Sequence, residues 1–201
     1  MAPSLFDSPW IHFPLAEAEV SYLPGFLSAE EADRYFKSLR RTVDWQQDDI
    51  TVFGKTYAQP RLTALYAQNS LPYRYSNLTL YPKPFTADLI RLKARIELET
   101  PHTFTTCLCN LYRNGQDSNG WHSDDEKELG MQPVIASVSL GAERRFHLKH
   151  KTRKEERLSL VLEHGSLLIM AGNTQHFWKH QLPKTKKPVG ERINLTFRKI
   201  A

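Results

Sequence analysis

The sequence predicts an α+β, mainly β fold whose core is a double-stranded β-helix, or jelly roll, covered by helices from the N-terminal half. Two observations carry this. Stretches of helical period stand before residue 100, and short stretches of strand period follow it. Turn residues (Asn114-Gly115, Gly141, Gly165, Gly172-Asn173) separate those strands at intervals too short for βαβ units, which favours a double-sheet barrel.

The elements follow in order. Ser28-Ala-Glu-Glu31 reads as a capping box, in which the serine hydroxyl and the glutamate carboxylate each accept from an N–H that a helix start leaves unpaired. Ala32, Tyr35, Phe36 and Leu39 then share one face, so the helix packs on a sheet. A second helix follows Pro84, with Phe85, Leu89, Leu92 and Ile96 on one side and charged residues between them. The segment 45–75, broken by Gly54, Pro60 and Pro72, reads as hairpins and loops. Strands are expected over 104–112, 134–140, 145–150, 158–162, 166–170 and 192–200.

At 201 residues the chain suits one domain, 1–201. Hydrophobic residues make up 40% and charged residues 24%, with no apolar run near the roughly 18 residues of a membrane helix. The N-terminus has neither the basic nor the apolar region of a signal peptide. The expectation is an intracellular monomer with no membrane partner. Cys107 and Cys109 would face the same side of a strand as Leu111, as buried free thiols. The net charge is +5 and its excess is clustered. Arg144, Arg145, Lys149, Lys151, Arg153, Lys154 and Arg157 form one group, and Lys179, Lys184, Lys186 and Lys187 another. Such clusters suit a polyanion, since phosphate neutralisation dominates sequence-independent nucleic-acid binding.

The chemistry concentrates in His122-Ser123-Asp124, His180 and the stretch Arg192–Arg198. Two imidazoles and a carboxylate can hold one face of a ferrous ion and leave the opposite face open. Asp124 stands two residues from His122, so on extended backbone both point the same way, and the third ligand arrives from a distant strand. Alternation puts Arg192, Asn194, Thr196 and Arg198 on one face of the last strand and Ile193, Leu195 and Phe197 on the other. Two inward guanidinium groups need an anion, and a dicarboxylate suits them because arginine pairs with carboxylates bidentately. Asn110 and Tyr112, on one face of the 104–112 strand, would complete that pocket.

From about Val52 to the end the chain resembles the AlkB-type alkylation-repair dioxygenases. The resemblance rests on Asn110-Leu-Tyr-Arg-Asn-Gly115, His122-Ser-Asp-Asp-Glu126, Ile135-Ala-Ser-Val-Ser-Leu-Gly141, His164-Gly-Ser-Leu-Leu168, His180-Gln-Leu-Pro183 and Arg192-Ile-Asn-Leu-Thr-Phe-Arg198. It implies Fe(II) held by His122, Asp124 and His180, with O2 and 2-oxoglutarate as co-substrates. Asn110, Tyr112, Arg192, Asn194, Thr196 and Arg198 would hold 2-oxoglutarate. His176 is a rival for the second histidine ligand, and the His-x-Leu-Pro context favours His180.

Within that family the chain looks nearest to the members acting on double-stranded DNA. Val52-Phe-Gly-Lys55 resembles their wedge hairpin, with Phe53 in the stack space of a flipped base. Pro60-Arg61 and the lysines after Pro183 resemble backbone-gripping elements. Tyr73-Arg-Tyr75-Ser76 stands where the family supplies a ring to stack on that base, and Asp125 and Glu126 could accept from its exocyclic amine. Residues 45–76 would then recognise the nucleotide and 104–201 form the catalytic jelly roll. The implied activity is oxidative demethylation of 1-methyladenine and 3-methylcytosine in alkylated duplex DNA, a direct-reversal repair. The compartment would be cytoplasmic in a bacterium and nuclear in a eukaryote. The rivals are the same chemistry on single-stranded RNA or DNA or on a protein, and a silent nucleic-acid-binding module.

Overall fold

The computed structural model describes residues 9–52, 55–69, 73–75 and 78–200. The N-terminal half runs through β1 (Ile11–Phe13), β2 (Glu19–Leu23), α1 (Ala29–Thr42), the hairpin β3 (Asp49–Val52) and β4 (Lys55–Ala58), and β5 (Leu62–Ala67). A second hairpin, β6 (Tyr73–Tyr75) and β7 (Leu78–Leu80), leads to β8 (Lys83–Pro84) and α2 (Ala87–Glu99). The C-terminal half comprises β9 (Thr106–Tyr112), β10 (Asn119–His122), β11 (Ile135–Gly141), β12 (Arg144–His150), β13 (Arg157–Leu162) and β14 (Ser166–Ala171). A short α3 (Thr174–Phe177), β15 (Trp178–Leu182) and β16 (Arg192–Arg198) complete it.

The strands build a large sheet, β1-β2-β14-β11-β16-β9-β5-β8, and a small one, β10-β15-β12-β13. From β9 onward the chain repeatedly crosses between the two, as a jelly roll does. The capping box forms: the Glu31 N–H donates to Ser28 Oγ at 3.2 Å and the Ser28 N–H to Glu31 Oε2 at 2.9 Å. Ala32, Tyr35 and Leu39 of α1 and Leu89, Leu92 and Ile96 of α2 are buried in one cluster with Cys107, Cys109, Leu111, Ile193, Leu195 and Phe197. That cluster covers the outer face of the large sheet. Between the sheets, Tyr22, Ile135, Leu168 and Met170 of the large one meet Leu148, Leu160, Leu162 and Trp178 of the small one. Both faces of β9, β11, β14 and β16 are therefore covered, and nearly every residue in them is buried. The inner face turns polar where Asn110 and Tyr112 lie opposite Asn194 and Arg192.

Four strands in the large sheet come from outside the 104–201 segment expected to form the core: β1, β2, β5 and the two-residue β8. β5 falls inside the stretch expected to be hairpins and loops, yet it pairs along its length with β9. Its sequence, Leu-Thr-Ala-Leu-Tyr-Ala, is buried on both faces after Leu62 and so shows no clean alternation. Cys107 and Cys109 are free and buried beneath the helices with their Sγ atoms 3.9 Å apart, and burial pushes the Cys107 thiol well up.

Arg144 corrects the reading of the first basic group. It is buried at 4% exposure and donates to the carbonyls of Asn114, Asp117 and Pro183 at 3.2, 3.0 and 2.6 Å. The two loops it joins also touch directly. The Thr185 N–H donates to Gly115 O at 2.8 Å, and a Cβ at Gly115 would lie 2.5 Å from Thr185 O, which only glycine avoids. The exposed Lys184, Lys186 and Lys187 thus stand on a fixed loop. Among the described residues no helix is long and apolar enough to cross a membrane.

Candidate metal centre

β10 and β15 are antiparallel neighbours with His122 opposite His180. Their rings meet edge to face with centroids 4.2 Å apart. Asp124 follows just beyond the end of β10, and one ligand atom from each of the three residues lies within 4.8 Å of the others. Adjacent strands supply the histidines, and the turn after β10 supplies the carboxylate. His176 is an exposed residue of α3 with its ring edge-on to Phe177, away from this cluster.

Two of the three ligands are held by hydrogen bonds to neighbours. His122 Nδ1 lies 2.7 Å from Gly120 O, so it carries the proton and leaves Nε2 as the electron-pair donor. The Asp124 N–H donates to Gln175 Oε1 at 2.9 Å. Asp124 Oδ2 accepts from Arg198 Nη2 at 2.8 Å and Nε at 3.3 Å. Its other oxygen, Oδ1, is buried with no hydrogen-bond partner. A buried carboxylate oxygen left unpaired is costly, and a divalent cation facing it removes the cost. Two neutral imidazoles, one carboxylate and that orphaned oxygen fit Fe(II).

The electrostatics agree. Burial alone would raise the Asp124 carboxyl, but Arg198 and the two imidazoles override it and bring it down to about 2. Burial, reinforced by His122, lowers His180 to about 3, and burial also lowers His122. Both rings are held neutral, the form that ligates a metal. In the unfolded chain each would take up a proton near pH 6.5, so below that pH the unfolded state binds more protons and stability falls. The metal-free protein is expected to lose up to ~1.4 kcal/mol per pH unit for each ring as pH drops from about 6.5. Asp124 adds stability present above its unfolded value and lost only as pH falls toward about 2. Urea midpoints of chelator-treated protein at pH 7.5, 5.5 and 4.5 read this, and a flat series would contradict it.

The cavity beside the ligands is lined along β9 and β16 by Asn110, Tyr112, Arg192, Asn194, Thr196 and Arg198. Arg192 is buried at 2% exposure, its guanidinium 5.4 Å from the Tyr112 ring centroid and its Nη2 donating to Ser139 Oγ at 2.9 Å. Its Nε has no hydrogen-bond partner, and burial pulls the group down to about 10. A buried guanidinium with an unused donor fits one carboxylate of 2-oxoglutarate. Asn194 Nδ2 donates to Ser137 Oγ at 2.7 Å, and Thr196 Oγ1 donates to Asn194 Oδ1 at 3.0 Å. These hold the amide in place. Arg198, expected as a co-substrate residue, lines the same cavity and also grips Asp124, so it orients a ligand as well.

Two expectations on the substrate side are corrected. Arg61, expected by resemblance to grip a nucleic-acid backbone, is buried; its Nε donates to Asn110 Oδ1 at 2.8 Å and its Nη1 to Asn119 Oδ1 at 3.1 Å. Asp125, expected to face the base, is exposed and pairs with Lys151 at 3.1 Å. Glu126 is half-buried with Oε2 unpartnered, and burial, then the Asp124 charge, push its carboxyl up. Phe53 lies outside the described residues, as does Ser76, and so do the side chains of Tyr73 and Tyr75. The sequence reading missed Asn119, whose Nδ2 is 3.2 Å from His122 Nε2, together with Gln175, Ser137 and Ser139. Alternation along β11 could have found the two serines, which share the inner face with Ile135; no local pattern marks Gln175.

Residues 19–198 match the 2OG-Fe(II) oxygenase superfamily. The alpha-ketoglutarate-dependent dioxygenase alkB homolog 3 of Bos taurus is 46% identical over 196 residues, covering 93% of this chain and 68% of that protein. The DNA oxidative demethylase ALKBH2 of Homo sapiens is 40% identical over 201 residues, covering 95% of this chain and 77% of that protein. In Bos taurus the identities to alkB homolog 3 and ALKBH2 are 46% and 44%, so overall identity does not single out the ALKBH2 type. Among solved structures OsALKBH1 shares the fold, with a TM-score of 0.68 at 17% identity over 95% of this chain and 100% of that one. The matched span runs through the ligands and the arginine strand alike, and the chain belongs to the 2OG-Fe(II) oxygenase superfamily as an AlkB-type dioxygenase using Fe(II), 2-oxoglutarate and O2.

Proposed function

We propose that this protein oxidatively demethylates 1-methyladenine and 3-methylcytosine in DNA, and that Phe53 lets it reach them in a duplex. The observation that carries the reading is Glu126, a half-buried acid with an unpartnered oxygen, two residues beyond Asp124 and near enough to feel its charge. A carboxyl at that site can pair with the exocyclic amine of an extruded base, as a phosphate or an apolar substrate could not. Likeness to proteins named DNA oxidative demethylase supports the nucleic-acid assignment.

The chain's residues divide the work. His122, Asp124 and His180 hold Fe(II); Arg198 and Gln175 fix Asp124. Arg192, Tyr112, Asn110 and Asn194 receive 2-oxoglutarate, with Ser139 and Ser137 as their supports. Bound iron with O2 and 2-oxoglutarate supplies oxidation of the N-methyl group, yielding succinate, CO2 and a hydroxymethyl group that leaves as formaldehyde. Glu126 orients the base, and the exposed Lys184, Lys186 and Lys187 meet the phosphate backbone. Formaldehyde release from methylated oligonucleotides, with and without 2-oxoglutarate, tests the reading; release of succinate without formaldehyde from any methylated strand would refute it.

The duplex part has its own test. β3 and β4 pair to the end, Val52 opposite Lys55, with Phe53 and Gly54 between them in sequence. A wedge ring offsets the few kcal/mol that unstacking costs. Phe53→Ala is expected to lower kcat/KM on duplex by about 10-fold or more and on single strands by much less. Equal losses on both substrates would return Phe53 to packing.

A further inference from the structure

The outer face of the small sheet carries a feature that demethylation at His122 does not use. Trp121 precedes His122 on β10, and strand alternation turns it outward while His122 lines the cavity. It remains 38% exposed on an edge strand, with Lys149 Nζ 4.3 Å from its ring centroid. The same face presents a row of cations, because Lys149 of β12 lies directly opposite Lys179 of β15 on one side and Arg157 of β13 on the other. Like charges directly opposite on neighbouring strands destabilise a sheet. Among the described residues no carboxylate pairs with Lys149, Lys179 or Arg157. An exposed indole beside an uncompensated row of three cations matches the way proteins bind single strands: a stacking ring with a positive track for the backbone.

We infer that Trp121, backed by Lys149, is a stacking platform for a nucleotide flanking the lesion in single-stranded DNA. The inference rests on the DNA reading of the metal site. His122 and Trp121 are neighbours in the chain, so a strand whose lesion enters the cavity turns over the β10 edge and meets the indole next. Lys149 backs the indole, a base stacks on its exposed surface, and the row through Lys179 and Arg157 neutralises the following phosphates. A paired base in a duplex has both faces covered and cannot make this contact. The platform and the proposed Phe53 wedge therefore serve different substrates.

The test is binding, read by fluorescence anisotropy with Mn(II)-loaded protein and a methylated single-stranded oligonucleotide. Trp121→Ala is expected to weaken binding about 5- to 100-fold, Trp121→Phe far less, and neither to change duplex binding. An abasic unit beside the lesion should cost the parent protein a similar factor and Trp121→Ala almost nothing more, since both remove the same stack. Lys179→Gln should lower the salt slope by about 0.7, one phosphate's share on a single strand. Unchanged single-strand affinity in Trp121→Ala, or an equal loss on single strand and duplex, overturns the platform. Mn(II) affinity of each variant shows that the neighbouring His122 still ligates. Formaldehyde release by the parent protein is scored separately, so the platform can fail while demethylation stands, and the reverse.

Discussion

Asp124→Ala is expected to take succinate formation below about one-hundredth of the parent rate. Changes to groups that merely orient a metal ligand cost about 10- to 100-fold, and Asp124 is itself the anionic ligand of the set, so its loss costs more. The substitution has a second effect. Arg198, buried at 4% exposure, loses the carboxylate that accepts from it at 2.8 and 3.3 Å. Breaking a buried ion pair from one side costs about 3–5 kcal/mol, a large part of the roughly 5–15 kcal/mol that holds a domain folded. Lower Tm and lower turnover would then be confounded. Asp124→Asn separates them, because the amide keeps the shape and an acceptor for Arg198 while removing the charge. We expect it to lose less Tm than Asp124→Ala, because Arg198 keeps an acceptor, and to lose Mn(II) affinity and turnover together. Parent-like metal binding and turnover in Asp124→Asn would mean that another group completes the metal site.

The parts of this molecule that were legible from sequence are those written in local periodicity. The capping box at Ser28, the faces of α1 and α2, and the strands from β9 to β16 that alternate or run apolar follow from side-chain direction alone. So does the inward row from Arg192 to Arg198. What escaped depends on contacts far apart in the chain. β5 is recognisable only beside β9, and Gln175 matters only because α3 brings it to the Asp124 N–H. Charge counting failed for Arg144, and resemblance for Arg61, for one reason: a guanidinium satisfied by amide and carbonyl oxygens can be buried, and sequence does not reveal its acceptors. The same limit hid one contact of Arg198. Its place on the inward face was readable, but its partner, 74 residues away, was not.

Arg192→Ala and Arg198→Ala should therefore fail in different ways, although alternation treats the two residues as equivalent. Arg192 lies opposite Tyr112 and Arg198 opposite Thr106, at the two ends of the β9–β16 pairing. Only Arg198 pairs with Asp124; Arg192 is held by Ser139 and keeps a buried donor without a partner. Truncating one partner of a buried charge pair costs about 2–5 kcal/mol, which at the co-substrate corresponds to a rise of about 30-fold or more in the KM for 2-oxoglutarate. For Arg192→Ala we expect that rise with DNA affinity unchanged and Mn(II) affinity in the absence of 2-oxoglutarate near the parent's. Arg192→Lys should recover little of it, because a single ammonium cannot reproduce the two-pronged guanidinium contact. Arg198→Ala should instead weaken Mn(II) binding in the absence of 2-oxoglutarate by about 10- to 100-fold, as expected of a residue that orients a ligand. Both measurements can be made on the same preparations, by EPR of free Mn(II) and by succinate formation across a 2-oxoglutarate series. If Arg192→Ala weakens Mn(II) alone as much as Arg198→Ala does, or if it weakens DNA more than 2-oxoglutarate, the co-substrate does not sit against Arg192.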